Sequence, residues 1–484
     1  MNTLHHVTTR LHAGALAGLS GLALCLGAAT ASSQDALPQI ELQPFPGAPL
    51  PGLTAPELDR FEKGRLEFEH VLSNAEGLGP VFNDSSCAQC HALPLAGGFS
   101  SSAVTRFGKA ASGPNPFDPL DALGGSLLQD QTTDGGCAES VPPEADVTTF
   151  RTTPHLFGLG LVEAISDGDL LLNETTPPHA SVAGVAHMVT PLEGGGLRVG
   201  RFGWKAQVPT VLTFSADASL NEMGLTNRFV GTENAPNGDL GLLAACDAVA
   251  DPEDGPDGEG FDRIDRHTDF QRFLAQPPQT PRNGMTGAAL FTQVSCDACH
   301  VVEFTTGATA EAALSGVTFR PFSDFLLHEV IGDGIVQGTG TEMRMRTAPL
   351  WGLGQRAGVG LLHDGSATGG TAEVNIDTAI LAHDNEAAFS SAAYQALSGA
   401  EQDQLVAFLM SLGRAEFDIE GNSTVDEIDW FFLQAFGHFT GPDLGGGAFF
   451  GPDDESAVAD VDQDGDFDLV DFGYMQRAFT GALP

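Results

Sequence analysis

Basic residues are scarce in this chain: 21 Lys and Arg stand against 64 Asp and Glu, a net charge of -43 over 484 residues. That balance argues against nucleic acid and anionic lipid as partners, and is met either by a solvated surface or by a positively charged electron-donor protein. Long apolar runs are missing too. Past the N-terminal stretch nothing approaches the ~18 consecutive apolar residues of a transmembrane helix. Cysteine is sparse, with seven residues, and no further Cys or His pairs stand beside the Cys-x-x-Cys pairs to complete zinc sites.

What is present begins with an export signal. Arg10 precedes an apolar run from Ala13 to Gly27 that closes on Ala29-Thr30-Ala31, a small-x-small cleavage pattern. Residues 1–31 therefore read as a signal peptide, and the mature chain as extracytoplasmic, either periplasmic or secreted. Leu24 stands where lipidation at Cys25 would want a small residue.

Cys-x-x-Cys-His occurs twice, as Cys87-Ala88-Gln89-Cys90-His91 and Cys296-Asp297-Ala298-Cys299-His300. This is the attachment pattern of c-type haem: two thiols add to the porphyrin and the adjacent histidine becomes the proximal iron ligand. Two covalent c-type haems are expected. Cys137 and Cys246 are left over and stand either as a disulfide or as two free thiols.

The surroundings of the motifs are duplicated. Gly64-Arg65-Leu66-Glu67-Phe68 precedes the first and Gly287-Ala288-Ala289-Leu290-Phe291 the second, each reading as a helix. After them, Arg151-Thr152-Thr153-Pro154-His155-Leu156-Phe157-Gly158-Leu159-Gly160 parallels Arg346-Thr347-Ala348-Pro349-Leu350-Trp351-Gly352-Leu353-Gly354. Ser398 to Glu401 forms a capping box before Leu405, Phe408, Leu409 and Leu412 at helical spacing, a stripe expected to pack on the helix carrying Phe291. Residues 100 to 280 read as Gly/Pro/Asp-rich loops of the kind that wrap a cofactor.

A third region begins near Glu416. Asp460, Asp462, Asp464, Gly465, Asp466, Asp468 and Asp471 fall on the calcium-loop positions of an EF-hand, with Asp in place of the usual closing Glu. Asp418 to Asp429 repeats the register with Ser423 where the glycine belongs. The expected fold is mainly α. It comprises the signal peptide, an N-terminal c-type haem module with a loop-rich insertion over 52–280, a C-terminal haem module over 281–415, and a small EF-hand-like calcium-binding domain over 416–484.

Several segments carry a family resemblance: Gly77 to Asn83, Phe157 to Ile165, Arg201-Phe202-Gly203-Trp204-Lys205-Ala206, and Leu362-His363-Asp364-Gly365 followed by His383. From about residue 55 to 413 the chain resembles the di-haem oxidoreductases related to bacterial di-haem cytochrome c peroxidases. The resemblance implies that electrons reach a haem in the C-terminal module and pass through a tryptophan to a peroxide-cleaving haem in the N-terminal one. Trp204 takes the relay position, or is a buried core aromatic. Glu222, in Asn221-Glu222-Met223, takes the place of the distal acid, with Gln207 orienting it; the alternative for Glu222 is a solvated loop acid. His383 stands where relatives carry a methionine ligand, with Met343 and Met345 as competitors, and His363 suits a haem propionate. The first module shows no comparable histidine shortly after His91; His155, His179 and His187 remain, and if none of them binds, that haem keeps an open sixth position. The paired loops ending in Asp resemble a dockerin type I module, which implies a cohesin-like docking partner.

The reading is thus an oxidoreductase that reduces hydrogen peroxide with electrons from a donor protein or small redox carrier. A pure electron-transfer cytochrome, a di-haem oxidase of a thiol or protein substrate, and a scaffold component with incidental haems stand as alternatives.

Overall fold

The computed structural model describes residue 40 and residues 42–113, 116–278, 285–419, 421–435, 458–462 and 467–479. The signal-peptide expectation, and Asp464 and Asp466 of the calcium loop, lie outside these. The fold is helix-rich with small antiparallel sheets.

Two helix pairs organise it. Helix Ala55–Glu69 starts at a capping box between Thr54 and Glu57 and packs along helix Arg263–Phe273. Glycine sets the crossing point: a Cβ on Gly64 would lie 2.5 Å from the Arg266 carbonyl oxygen and 2.8 Å from the Phe270 nitrogen. Phe68, one turn on, meets Phe270 at 4.8 Å between ring centroids. Helix Thr286–Gln293 packs in the same way on helix Gly399–Ser411. There a Cβ on Gly287 would lie 2.5 Å from Phe408 Cβ, and Phe291 stands edge-on to Phe408 at 5.8 Å. The capping box of Ser398 and Glu401 and the packing on Phe291 are as the sequence led us to expect.

The Gly-Leu-Gly repeat is also structural. Gly158 and Gly352 take φ of 74° and 73°, left-handed values that glycine adopts without strain. Two residues on, Gly160 and Gly354 press against the carbonyls of Arg272 and Met410, near the ends of the two closing helices.

The stretch read as loops contains more structure than its composition announces. Strand Ala103–Gly108 pairs with Val147–Thr152 and with Ser126–Leu127 in a three-stranded antiparallel sheet. Helix Arg263–Phe273 also lies within it. Eight of its eleven residues are buried although its sequence is polar, and its charges are paired: Arg60 with Asp269, Glu67 with Arg263, Glu163 with Arg272, and Asp257 with Arg266. Cys137 and Cys246 form a disulfide with Cα atoms 6.5 Å apart, tying together positions 109 residues distant.

In the tail, helices Glu427–Ala435 and Leu469–Ala478 share a core built on Phe417, Ile419, Val461, Phe467 and Tyr474. Ile40, Leu42 and Phe45 pack against it, and Gln43 hydrogen-bonds Glu416 through its backbone and side chain. Among the described residues no helix is long and apolar enough to cross a membrane.

Candidate functional site

Each Cys-x-x-Cys-His motif faces its own cavity, and apolar surface dominates the lining of both.

In the first cavity Cys87 and Cys90 lie on the short helix Cys87–Cys90, followed at once by His91. His91 Nδ1 is 3.0 Å from the Gly98 carbonyl oxygen. A carbonyl only accepts, so Nδ1 carries the proton and Nε2 is left bare, the tautomer a metal ligand needs. Burial pulls the ring down to about 4, which keeps it neutral. Burial also pushes Cys87 and Cys90 up to about 12.

Four imidazoles line the second cavity, those of His300, His328, His363 and His383, and two of them form a pair. His300 Nδ1 is 2.9 Å from the Phe322 carbonyl and His383 Nδ1 2.7 Å from the Ala379 carbonyl, so both expose Nε2. Their ring centroids are 6.5 Å apart. Two imidazoles facing one metal ion across nitrogen–metal bonds of ~2 Å would have centroids roughly 6 to 6.5 Å apart. Met345 and His363 line this cavity, while Met343 does not and is exposed.

Opposite His91 the chemistry differs. Glu222, on helix Val211–Met223, lines the first cavity with Gln207 and Arg106. Its carboxylate accepts from Asn83 Nδ2 at 2.7 Å. Burial raises its carboxyl above the ordinary carboxylate range, against the lowering effects of Asn83 and Arg106. Gln207 Oε1 accepts from the Lys205 nitrogen at 3.1 Å. His155, His179 and His187 line neither cavity; they hold the Trp351 carbonyl, stack on Phe389 and hold the Lys205 carbonyl respectively.

Trp204 lines both cavities. Its Nε1 donates to the Thr152 carbonyl at 3.0 Å, its ring meets His363 edge-on at 6.3 Å, and the Arg356 guanidinium lies 5.7 Å from its centroid.

Cations concentrate around this tryptophan, with Arg151, Lys205 and Arg346 buried and Arg106 and Arg356 half-buried. Among the described residues the Arg346 guanidinium bonds the Gly203 and Thr347 carbonyls, and that of Arg356 bonds Thr152 Oγ1 and the Gly360 carbonyl. Burial pulls both down to about 10, which leaves them charged at neutral pH. Arg106 Nε is buried without a partner, while Arg151 and Lys205 share the single carboxylate of Asp333. Buried cations in such excess call for anions, and the propionates of two haems would supply them; the donor set fits the group.

Three features were missed in the sequence. His267, on helix Arg263–Phe273, lines the first cavity with Nε2 4.0 Å from Cys87 Sγ; repeating the second module's closing helix in the first could have found it. Arg356 is a lone charge just after Gly352-Leu353-Gly354, where the first copy has Val162. Asp333 had no signal.

In the tail, carboxylate oxygens of Asp460, Asp462 and Asp471 lie within 4.8 Å of one another. Asp471 accepts from the nitrogens of Val461 and Asp468, as Asp429 does from those of Ile419 and Asp426. Burial, then Asp462 and Asp460, push Asp471 up to about 7. Such a loop could hold a hard cation.

A search of curated proteins gave no match. The family model described as "Di-haem oxidoreductase, putative peroxidase" matches residues 130–412. That span takes in Trp204, Glu222, the second motif and His383, but begins well after residue 55, so the first motif stands on its own residues. With more than half of its length matched, the chain belongs to the di-haem oxidoreductase family.

Proposed function

We propose that this protein is an exported di-haem c-type peroxidase, with residues 52–280 and 281–415 as cytochrome c-like haem modules akin to those of bacterial di-haem cytochrome c peroxidases. Cys87, Cys90 and His91 would hold one haem, and Cys296, Cys299, His300 and His383 the other. The observation that carries this reading is the asymmetry of the two cavities across Trp204: the facing imidazoles of His300 and His383 on one side, and on the other His91 and the half-buried carboxyl of Glu222, with no second imidazole paired to His91.

The bound haems would supply the redox chemistry, two electrons that with two protons convert hydrogen peroxide to two waters. Everything else falls to the chain. His300 and His383 close the second cavity to substrate, which suits it to receiving electrons from a donor protein or small carrier. Trp204 offers a π-system between the cavities, oriented by Thr152 and Arg356. Glu222 takes the proton from one peroxide oxygen and returns it to the other, work suited to a carboxyl raised towards neutral pH. Gln207 and Asn83 hold peroxide and Glu222 in register. The tail, 416–484, is read as a dockerin-like calcium module that docks the enzyme to a cohesin-like partner.

A reduced-minus-oxidised spectrum with carbon monoxide tests the asymmetry. One of two haems is expected to bind the gas. Two inert haems would leave only an electron-transfer cytochrome.

A further inference from the structure

Outside both cavities Glu233 is buried, 7% exposed, and among the described residues both of its carboxylate oxygens are inaccessible and without a hydrogen-bond donor. Ligand atoms of Glu233, Asp251 and Glu253 lie within 4.8 Å of one another. Among the described residues no Lys, Arg or His forms an ion pair with any of the three. A carboxylate left buried and unpaired is costly, so Glu233 must either take up a proton or face a cation.

The surroundings are built for oxygen coordination. Thr226, fully buried, brings its hydroxyl to 3.1 Å from Asp251 Oδ1 and also bonds Glu253 Oε2, while its nitrogen donates to the same Glu253 oxygen at 3.0 Å. Asn227 and Val230 exchange backbone hydrogen bonds in a tight turn that leads the chain back to Glu233. Asp251 is exposed, which gives an ion a way in. Three carboxylates offer up to six oxygens, and with the Thr226 hydroxyl and water they meet the six to eight that calcium takes.

We propose that Glu233, Asp251 and Glu253, with Thr226, form a calcium-type divalent cation site distinct from the haem cavities and from the tail loop. The site would act on the first cavity from behind. Thr226 follows helix Val211–Met223, which carries Glu222, and Glu253 packs against Gly77, in the loop leading to Cys87. The cation would clamp these segments together, since the same loop bonds the helix end through Gly79 to Met223 and Asn83 to Glu222.

The test titrates calcium chloride into the full-length, haem-loaded protein after chelator treatment, following stoichiometry by calorimetry and Tm by loss of the haem spectrum. An Asp460→Asn, Asp471→Asn background removes the tail loop. It should still bind one calcium per chain and gain Tm from it. Adding Glu233→Gln should abolish that equivalent or weaken it at least tenfold, and Asp251→Asn, at an exposed position that spares folding, should weaken it too. No calcium in the background, or an equivalent that survives both added substitutions, overturns the site. So does a Glu233→Gln variant that is stabilised to the same extent with and without calcium, because Glu233 and Glu253 would then share a proton instead of a cation.

Discussion

Around His300 the cavity wall answers the proximal imidazole with a second one, His383; around His91 it answers with Glu222, Gln207 and Arg106. Yet one plan builds both surroundings. A glycine-notched helix crosses a closing helix, and a Gly-Leu-Gly turn presses on that closing helix near its end. The difference lies in what is hung on the plan. The second cavity takes its far wall from a short local helix, Ala372–Leu381, and His383 just beyond it. The first takes its far wall from the long insertion that also holds the sheet and the disulfide. One duplicated scaffold therefore carries facing imidazoles on one side and a carboxyl, an amide and a guanidinium on the other, with Trp204 as the shared wall.

The strongest way to break this comparison is Glu222→Gln, which should lower peroxide turnover by ~10² to 10⁴ while both haems stay attached. Because burial raises the Glu222 carboxyl, wild-type turnover should fall on the acid side at a pH above the ordinary carboxylate range, as the base form is lost. The variant's residual rate should lack that limb. A variant of wild-type activity would return Glu222 to the structural residues.

Next in size is His383→Met. Thioether ligation raises a haem's potential relative to a second imidazole, so redox titration should find the haem on His300 shifted upward by a fraction of the ~0.8 V that axial ligands span. The ferric near-infrared band of Met ligation should appear only in the variant. If wild type shows that band, Met345 is the ligand, since it lines the cavity and Met343 does not.

What the sequence disclosed follows the same divide. Elements fixed by local pattern were legible: both haem motifs, the Gly-x-x-x-Phe helices, the Ser398 capping box and the spacing to His383. The insertion was not, because long-range pairing holds it. Helix Arg263–Phe273 reads as a solvated segment, and only partners as remote as Arg60 and Glu163 reveal it as buried. The cations around Trp204 were hidden for a related reason: Arg151 and Arg346 open the two copies of the duplicated segment, but no spacing joins them to Arg106 and Arg356. Glu233, Asp251 and Glu253 looked like three more acids in an acidic chain.

Gly64→Ala and Gly287→Ala sharpen the comparison at the level of the scaffold. Each puts a methyl into a helix crossing that has no room for it, so each should cost ~1–3 kcal/mol. Thermal unfolding of the holoprotein should show similar losses at both crossings. A loss at one glycine alone would mean that the two crossings are alike in shape but not in energy.

His267→Ala should have the smallest effect, and it bears on whether the first cavity is open. His267 is the one histidine besides His91 on that cavity's wall among the described residues, so it is the natural rival for the sixth position. Its Nε2, however, is 4.0 Å from Cys87 Sγ. A cysteine joined to the porphyrin lies at the macrocycle's edge, so a ring in contact with its sulfur stands beside that edge and not over the metal. Burial pulls His267 down to about 4, so it contributes no charge at neutral pH. Replacing it with alanine should remove buried contacts and lower Tm by a few degrees, while the ferric spectrum and carbon monoxide binding of the haem on His91 stay as in wild type. If the variant instead gained a gas-binding haem that wild type lacked, His267 would be a sixth ligand, and the two cavities would be alike after all.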